Sequence, residues 1–247
     1  MLEFRVSHIL LRFENLEAAV QNFRDLGFAV VRSPHWGGAW IYLPDGVLLE
    51  FLPHQGGLER FLARGGEILQ SRLRQYRQRR LLDFCLTPKA SFAELEAHLR
   101  AQDLSYETLG GWCPHLALPW FPLPLLFNPL MPQPIHLPSQ HPNGVVGLHA
   151  LCLHTPNLLG QTLRFRRLLG QQGFFESTAQ GRRAVFTIGS HLLYLQTSTE
   201  EGLQTLILRT RHPLEGRLDR GQTQGVAIHL LGDPILEPVL GDEKGER

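Results

Sequence analysis

Three cysteines in 247 residues, at positions 85, 113 and 152, are too few and too scattered for a disulfide framework. No CxxC pair is present to hold a zinc knuckle. Charge is just as sparing. Twenty-four Lys and Arg against 23 Asp and Glu leave a net charge of +1, without the basic surface that displaces counterions from phosphate, so nucleic acid is not an expected partner. The local basic run Arg72, Arg74, Arg77, Arg79 and Arg80 has helical spacing beside Leu69, Leu73 and Tyr76, and reads as a solvated face. The apolar stretch 116–127 is broken by Pro119, Pro122 and Pro124 and cannot be a membrane helix. Residues Met1 to Val6 enter a strand pattern at once, with no basic and apolar leader. The expected location is the cytoplasm, with no membrane partner.

Familiar catalytic signatures are missing too. There is no G-x-S-x-G, no P-loop and no G-x-G-x-x-G after a strand. The glycine pairs at 37–38, 56–57, 65–66 and 110–111 are turn glycines, without the helix N-terminus that phosphate binding needs.

What the chain does have is a repeat, and 43% hydrophobic residues to give it a core. An aliphatic run at 5–13 leads to Asn15, a helix N-cap, then to an amphipathic stretch (Leu16, Ala19, Val20, Phe23, Leu26) stopped by Gly27. Three short strands follow at 28–32, 39–43 and 47–52, the last two joined by the turn Pro44-Asp45-Gly46. The same βαβββ order returns after Gly147, with Asn157 as cap, Gly170 as stop and Gly189-Ser190 at the turn. Looser copies begin near Leu82, with Ser91 as cap, and near Thr205, where the helix shrinks to a turn. The fold class is therefore α+β, built from repeated βαβββ modules. An N-terminal half spans 1–128, with modules near 1–53 and 81–128 and a helical insertion at 57–80. A Pro-rich linker follows at 129–144, then a C-terminal half at 145–235 (a module near 145–197 and a degenerate one) and a polar tail at 236–247.

The blocks Ser7-His8-Ile9-Leu10-Leu11, Asn15-Leu16-Glu17-Ala18-Ala19, Leu26-Gly27-Phe28 and Gly46-Val47-Leu48-Leu49-Glu50-Phe51 resemble the vicinal oxygen chelate superfamily. The segment His141-Pro142-Asn143-Gly144-Val145-Val146-Gly147 is similar to one in its glyoxalase-like subgroup. The likeness spans about residues 4 to 197. It implies paired modules whose mixed sheets curl into half-open cups, with helices outside. Such cups often hold a divalent metal (zinc, manganese, nickel or iron) that takes two adjacent oxygens of a small-molecule substrate. Other members only bind ligands, and a homodimer is compatible with either use.

By strand alternation His8 shares a face with Phe4, Val6 and Leu10, and Glu50 with Leu48 and Leu52. A carboxylate on an apolar face is costly unless paired, protonated or bound to metal. His8 and Glu50 match the family's first-strand His and last-strand Glu, so they are the candidate metal ligands, with Glu50 also the candidate catalytic base. The plain alternatives are a satisfied core histidine and a Glu50–Arg12 pair. Alignment of the third module on the first puts His149 where His8 stands, and Tyr194 or Gln196 near the place of Glu50. In the second module Phe84, flanked by Asp83 and Cys85, falls opposite His8. Candidate substrate contacts are Arg12, whose guanidinium suits an anion, and His35, Trp36 and Trp120, which could line a pocket or simply pack. The chemistry expected is that of a metal-dependent lyase, isomerase or dioxygenase, with a metal-free binding protein as the alternative.

Overall fold

The computed structural model describes residues 2–33, 37–53, 80–109, 115–118, 124–127, 140–179, 181–212 and 216–232. The first module runs β1 (Phe4–Phe13), α1 (Leu16–Asp25), β2 (Val30–Arg32), β3 (Ala39–Tyr42) and β4 (Leu48–Pro53). The second runs β5 (Leu81–Pro88), α2 (Phe92–Ala101), β6 (Glu107–Leu109), β7 (His115–Ala117) and β8 (Leu125–Phe127). The third comprises β9 (Val145–Thr155), α3 (Leu158–Leu169), β10 (Phe174–Thr178), β11 (Gly181–Ile188) and β12 (His191–Thr197). The fourth keeps only β13 (Gly202–Thr210), β14 (Gly216–Arg217) and β15 (Ala227–Gly232).

Local chemistry sets these boundaries. The Asn15 side chain accepts from Ala18 N at 3.0 Å, and that of Asn157 from Gly160 N at 2.9 Å. Ser91 and Glu94 form a reciprocal capping box. Gly170 ends α3 in the left-handed region at φ 65. Gly46, at φ +87, turns β3 back on β4.

Consecutive modules pair. Among the described residues one sheet has the order β2-β3-β4-β1-β5-β8-β7-β6, and the other β10-β11-β12-β9-β13-β15-β14. In each, the two module-opening strands lie antiparallel at the centre: β1 on β5, and β9 on β13. Helices cover one face. Ile9, Leu11, Phe13, Leu49 and Phe51 pack with Ala19, Val20 and Phe23 of α1, and the Phe23 and Phe51 rings stand 4.8 Å apart. The opposite face of each sheet is concave and, among the described residues, free of helix.

A β-bulge corrects the expected phase of β1. Val6 pairs with Leu86 but His8 with Cys85, so Ser7 is an extra residue against β5. Phe4 and Val6 therefore join Ile9, Leu11 and Phe13 in the core, while His8, Leu10 and Arg12 face the cup. His8 does not share the face of Phe4 and Val6.

The halves interlock through turns. Asp45 reaches into the second half, where its Oδ2 accepts from Leu148 N at 2.6 Å and from His191 Nε2 at 3.1 Å, with Arg209 Nη2 at 3.8 Å. In return, the Gly189 turn lies against Phe4 and Arg5 of β1. His141 accepts from Ala29 N at 3.1 Å on Nδ1 and donates to Tyr42 O at 3.0 Å from Nε2. Asn143 donates to Leu26 O at 3.0 Å, over the left-handed Gly27. Most of the Pro-rich linker, 128–139, lies outside the described residues, as does nearly all of the insertion at 57–80. Among the described residues no helix is long and apolar enough to cross a membrane.

Candidate functional site

Sheet register gathers the candidate residues on the concave face of the first half. Glu50 on β4 lies between Trp40 of β3 and Leu10 of β1, and Leu10 pairs onward with Asp83 of β5. One row along, Tyr42, Leu48, His8, Cys85 and Leu125 cross the same strands in order. Paired residues share a face, so all of these look into one cup. His8 and Glu50 are diagonal neighbours on parallel strands. Two residues along and one strand across puts their backbones about 8 Å apart, within reach of a shared ion or small molecule.

The electrostatics centre on Glu50. Burial among Leu48, Leu52 and Leu10 pushes its carboxyl up to about 7, against an opposing hydrogen bond from the Trp40 indole N–H. Tyr42 stands beside it, and burial together with the Glu50 charge pushes its phenol up to about 12. Trp40 and Tyr42 meet edge to face, ring centroids 6.0 Å apart. The cup thus has a carboxyl that titrates near neutrality, held between an indole donor and a phenol that stays protonated.

The Ser7 hydroxyl donates to Cys85 O at 3.2 Å, and its oxygen lies 3.0 Å from His8 Nδ1, placed to accept from an Nδ1–H tautomer. A histidine oriented through Nδ1–H with Nε2 as the donor atom is the arrangement metal-ligating imidazoles use. The bulge that lifts Ser7 out of the β1 ladder also creates this contact.

Sequence alone missed Ser7, Trp40 and Tyr42. A signal for the last two was present: the hairpin centred on Asp45 sets residue 40 against 50 and residue 42 against 48. Arg12 faces the cup and is 8% exposed, with its backbone N–H on Arg80 O at 2.8 Å. Asp83 is 2% exposed and accepts from Phe84 N at 2.9 Å. It is Cys85, not Phe84, that lies opposite His8; Phe84 belongs to the core. His35, Trp36 and Trp120 lie outside the described residues. Among the described residues no three His, Cys, Asp or Glu gather as a metal cluster. His8 and Glu50 place one nitrogen and one oxygen donor on the same face of the sheet.

No family model matches the chain, and no curated protein matches it. Solved structures do. A hypothetical protein from Staphylococcus aureus superposes with a TM-score of 0.69 at 7% identity, over 93% of this chain and 99% of that one. A halotolerant catechol dioxygenase, BphC, gives 0.63 at 10%, over 94% and 89%. The Mn(II)-bound glyoxalase from Novosphingobium aromaticivorans gives 0.62 at 11%, over 94% and 83%. At these identities the likeness shows the fold, and it does so over nearly the whole chain. This chain has the glyoxalase-like vicinal oxygen chelate fold.

Within that fold the two cups differ in chemistry. Against β12, Ala150 pairs with Leu192 and Cys152 with Tyr194, as His8 pairs with Leu48 and Leu10 with Glu50. The second cup of this vicinal oxygen chelate fold therefore has Ala150 in the place of His8 and Tyr194 in the place of Glu50. His149 corresponds to Ser7, not to His8, because a bulge lies between Leu148 and Ala150 as it does between Val6 and His8. Among the described residues the His–Glu pair belongs to the first cup alone.

Proposed function

We propose that the first cup is the active site of a metal-dependent enzyme that acts on a small molecule bearing vicinal oxygens, of the lyase, isomerase or dioxygenase type. The observation that carries this reading is Glu50: a carboxyl pushed up to about 7 by burial on a concave face, diagonal to the His8 imidazole, whose Nδ1 lies 3.0 Å from the Ser7 hydroxyl. His8 and Glu50 would hold the ion, and a divalent metal there would supply Lewis acidity toward two adjacent oxygens.

The rest of the chemistry belongs to the chain. Glu50, near its midpoint at neutral pH, can take a proton at Oε and return it. Trp40 steadies the charged form of that carboxylate, and Tyr42 keeps its proton as a hydrogen-bond donor. Arg12 would bind an anionic group of the substrate, with His35, Trp36 and Trp120 as further candidate substrate contacts. The activities of the structural neighbours, a catechol dioxygenase and a Mn(II)-bound glyoxalase, support this class of chemistry.

A second reading is metal-free binding of a small molecule in the same cup. It is favoured by the two-ligand donor set, since no third His, Cys, Asp or Glu joins His8 and Glu50 among the described residues. Elemental analysis of untagged protein separates the two. Stoichiometric zinc, manganese, nickel or iron that disappears in the His8→Ala/Glu50→Gln double variant is the expected result. Absence of metal, with no thermal shift on adding any of these ions, rejects the enzyme reading in favour of binding.

A further inference from the structure

The concave face of the second sheet carries groups the first cup lacks. One cross-strand row holds Arg183, Gln196 and His154, and the next holds Val185, Tyr194 and Cys152. Between them alternate Ala184, Leu193, Leu195, Leu151 and Leu153, all buried in the core on the α3 side. The two rows therefore face away from the helix.

Arg183 is fixed from two directions. Its guanidinium carbon lies 3.9 Å above the centre of the Tyr194 ring, and its Nε donates to Glu176 Oε1 on β10. Glu176 occupies only the Nε edge. The two terminal nitrogens have no protein partner among the described residues. An arginine already held by stacking and by one edge has little rotamer freedom left to lose, and its terminal fork fits a planar oxyanion in bidentate fashion. In the same row, His154 Nδ1 is buried with no hydrogen-bond partner among the described residues. A hydrogen-bonding group on a bound molecule would satisfy that atom. Tyr194 and Cys152 form a half-buried apolar floor between the two polar residues.

We propose that this face is a second ligand site, separate from the His8–Glu50 cup. It takes a small organic molecule whose carboxylate or phosphate sits on the Arg183 fork and whose apolar body lies over Tyr194 and Cys152. His154 contacts the far side of that molecule. With Ala150 and Tyr194 in the places of His8 and Glu50, the site works through direct contacts with the anion.

The test titrates the full chain with benzoate, phenyl phosphate and inorganic phosphate. Binding is read by calorimetry, and by protection of Cys152 from iodoacetamide, resolved by peptide mass spectrometry. Benzoate or phenyl phosphate is expected to bind one to one and to slow Cys152 alkylation, and the stronger of the two identifies the head group. Arg183→Met and Arg183→Lys should each weaken binding by roughly tenfold or more, the lysine variant because it keeps the charge and loses the fork. Glu50→Gln in the other cup should leave this binding unchanged. Four results would overturn the proposal: no binding of either aromatic anion, protection that survives both Arg183 variants, loss of binding in Glu50→Gln, or inorganic phosphate binding as tightly as phenyl phosphate. If Arg183→Met fails to fold, Arg183→Lys decides.

Discussion

Glu50 is held where its ionised form is least welcome, and that has a consequence for stability. Between about pH 4.5 and 7 the unfolded chain releases this proton while the folded chain keeps it, so stability falls as pH rises through that window. Above it the penalty in metal-free protein is about 3 kcal/mol. Glu50→Gln removes the charge and keeps the shape. In the presence of chelator the variant should melt several degrees above the parent at pH 8 and level with it at pH 4.5. Equal melting temperatures at both values would mean that the carboxylate is compensated in the native protein. Ser7 acts on the other half of the pair. Ser7→Ala removes the hydroxyl oxygen that lies 3.0 Å from His8 Nδ1. Nitrogen-15 histidine spectra should report the Nδ1–H tautomer in the parent and a shift toward Nε2–H in the variant.

At the scale of elements, the bulge decides which residues the cup receives. Deleting Ser7 leaves the strand from His8 onward pinned by its parallel register on β4 and by α1. Without the extra residue Val6 joins His8 directly, and the pairs Val6–Leu86 and His8–Cys85 fall into regular alternation, so Phe4 and Val6 keep their places in the core. Stability, read from the denaturation midpoint, should therefore fall by less than the roughly 1.5–3 kcal/mol that losing burial of even one of these side chains would cost. A larger loss would show that the bulge itself holds the register. The helices were legible in the sequence because their signals are local: Asn15, Ser91 and Asn157 as caps, Gly27 and Gly170 as stops, all a few residues from what they control. The bulges were not. One extra residue in a strand has no composition of its own, and its evidence is the partner strand, 78 residues away for Ser7 and Cys85. That single residue explains why His149 read as the counterpart of His8, when register assigns it to Ser7. The site was half legible for the same reason. His8 and Glu50 stood out as polar residues in apolar strands, whereas the parts played by Ser7 and Cys85 depend on pairing between modules.

At the scale of the whole molecule, two cups are held together by buried polar contacts more than by a continuous sheet. Asp45 is the densest of these. Its side chain is 10% exposed, and one oxygen serves Leu148 N, His191 and, at longer range, Arg209. Gly147 leaves no slack, because a Cβ there would stand 2.3 Å from that oxygen. Asp45→Asn keeps the volume of the side chain but replaces one acceptor oxygen with an NH2 group. If that group faces Leu148 N, two donors confront each other; if the amide flips, Val47 N loses the acceptor it has at 3.2 Å. Breaking one buried, charge-assisted contact of this kind costs about 3 kcal/mol or more. That cost falls mainly on the association of the halves, since the Asp45 side chain serves Leu148 N and His191 of the second half and, in its own half, Val47 N of the turn. Denaturant unfolding followed at two places should therefore separate. Far-ultraviolet circular dichroism would report both sheets, and alkylation of Cys152 would report the second half alone. In the parent the two transitions should coincide, and in Asp45→Asn they should part. Coincident transitions shifted together would mean that the halves fold as one unit whatever Asp45 contributes.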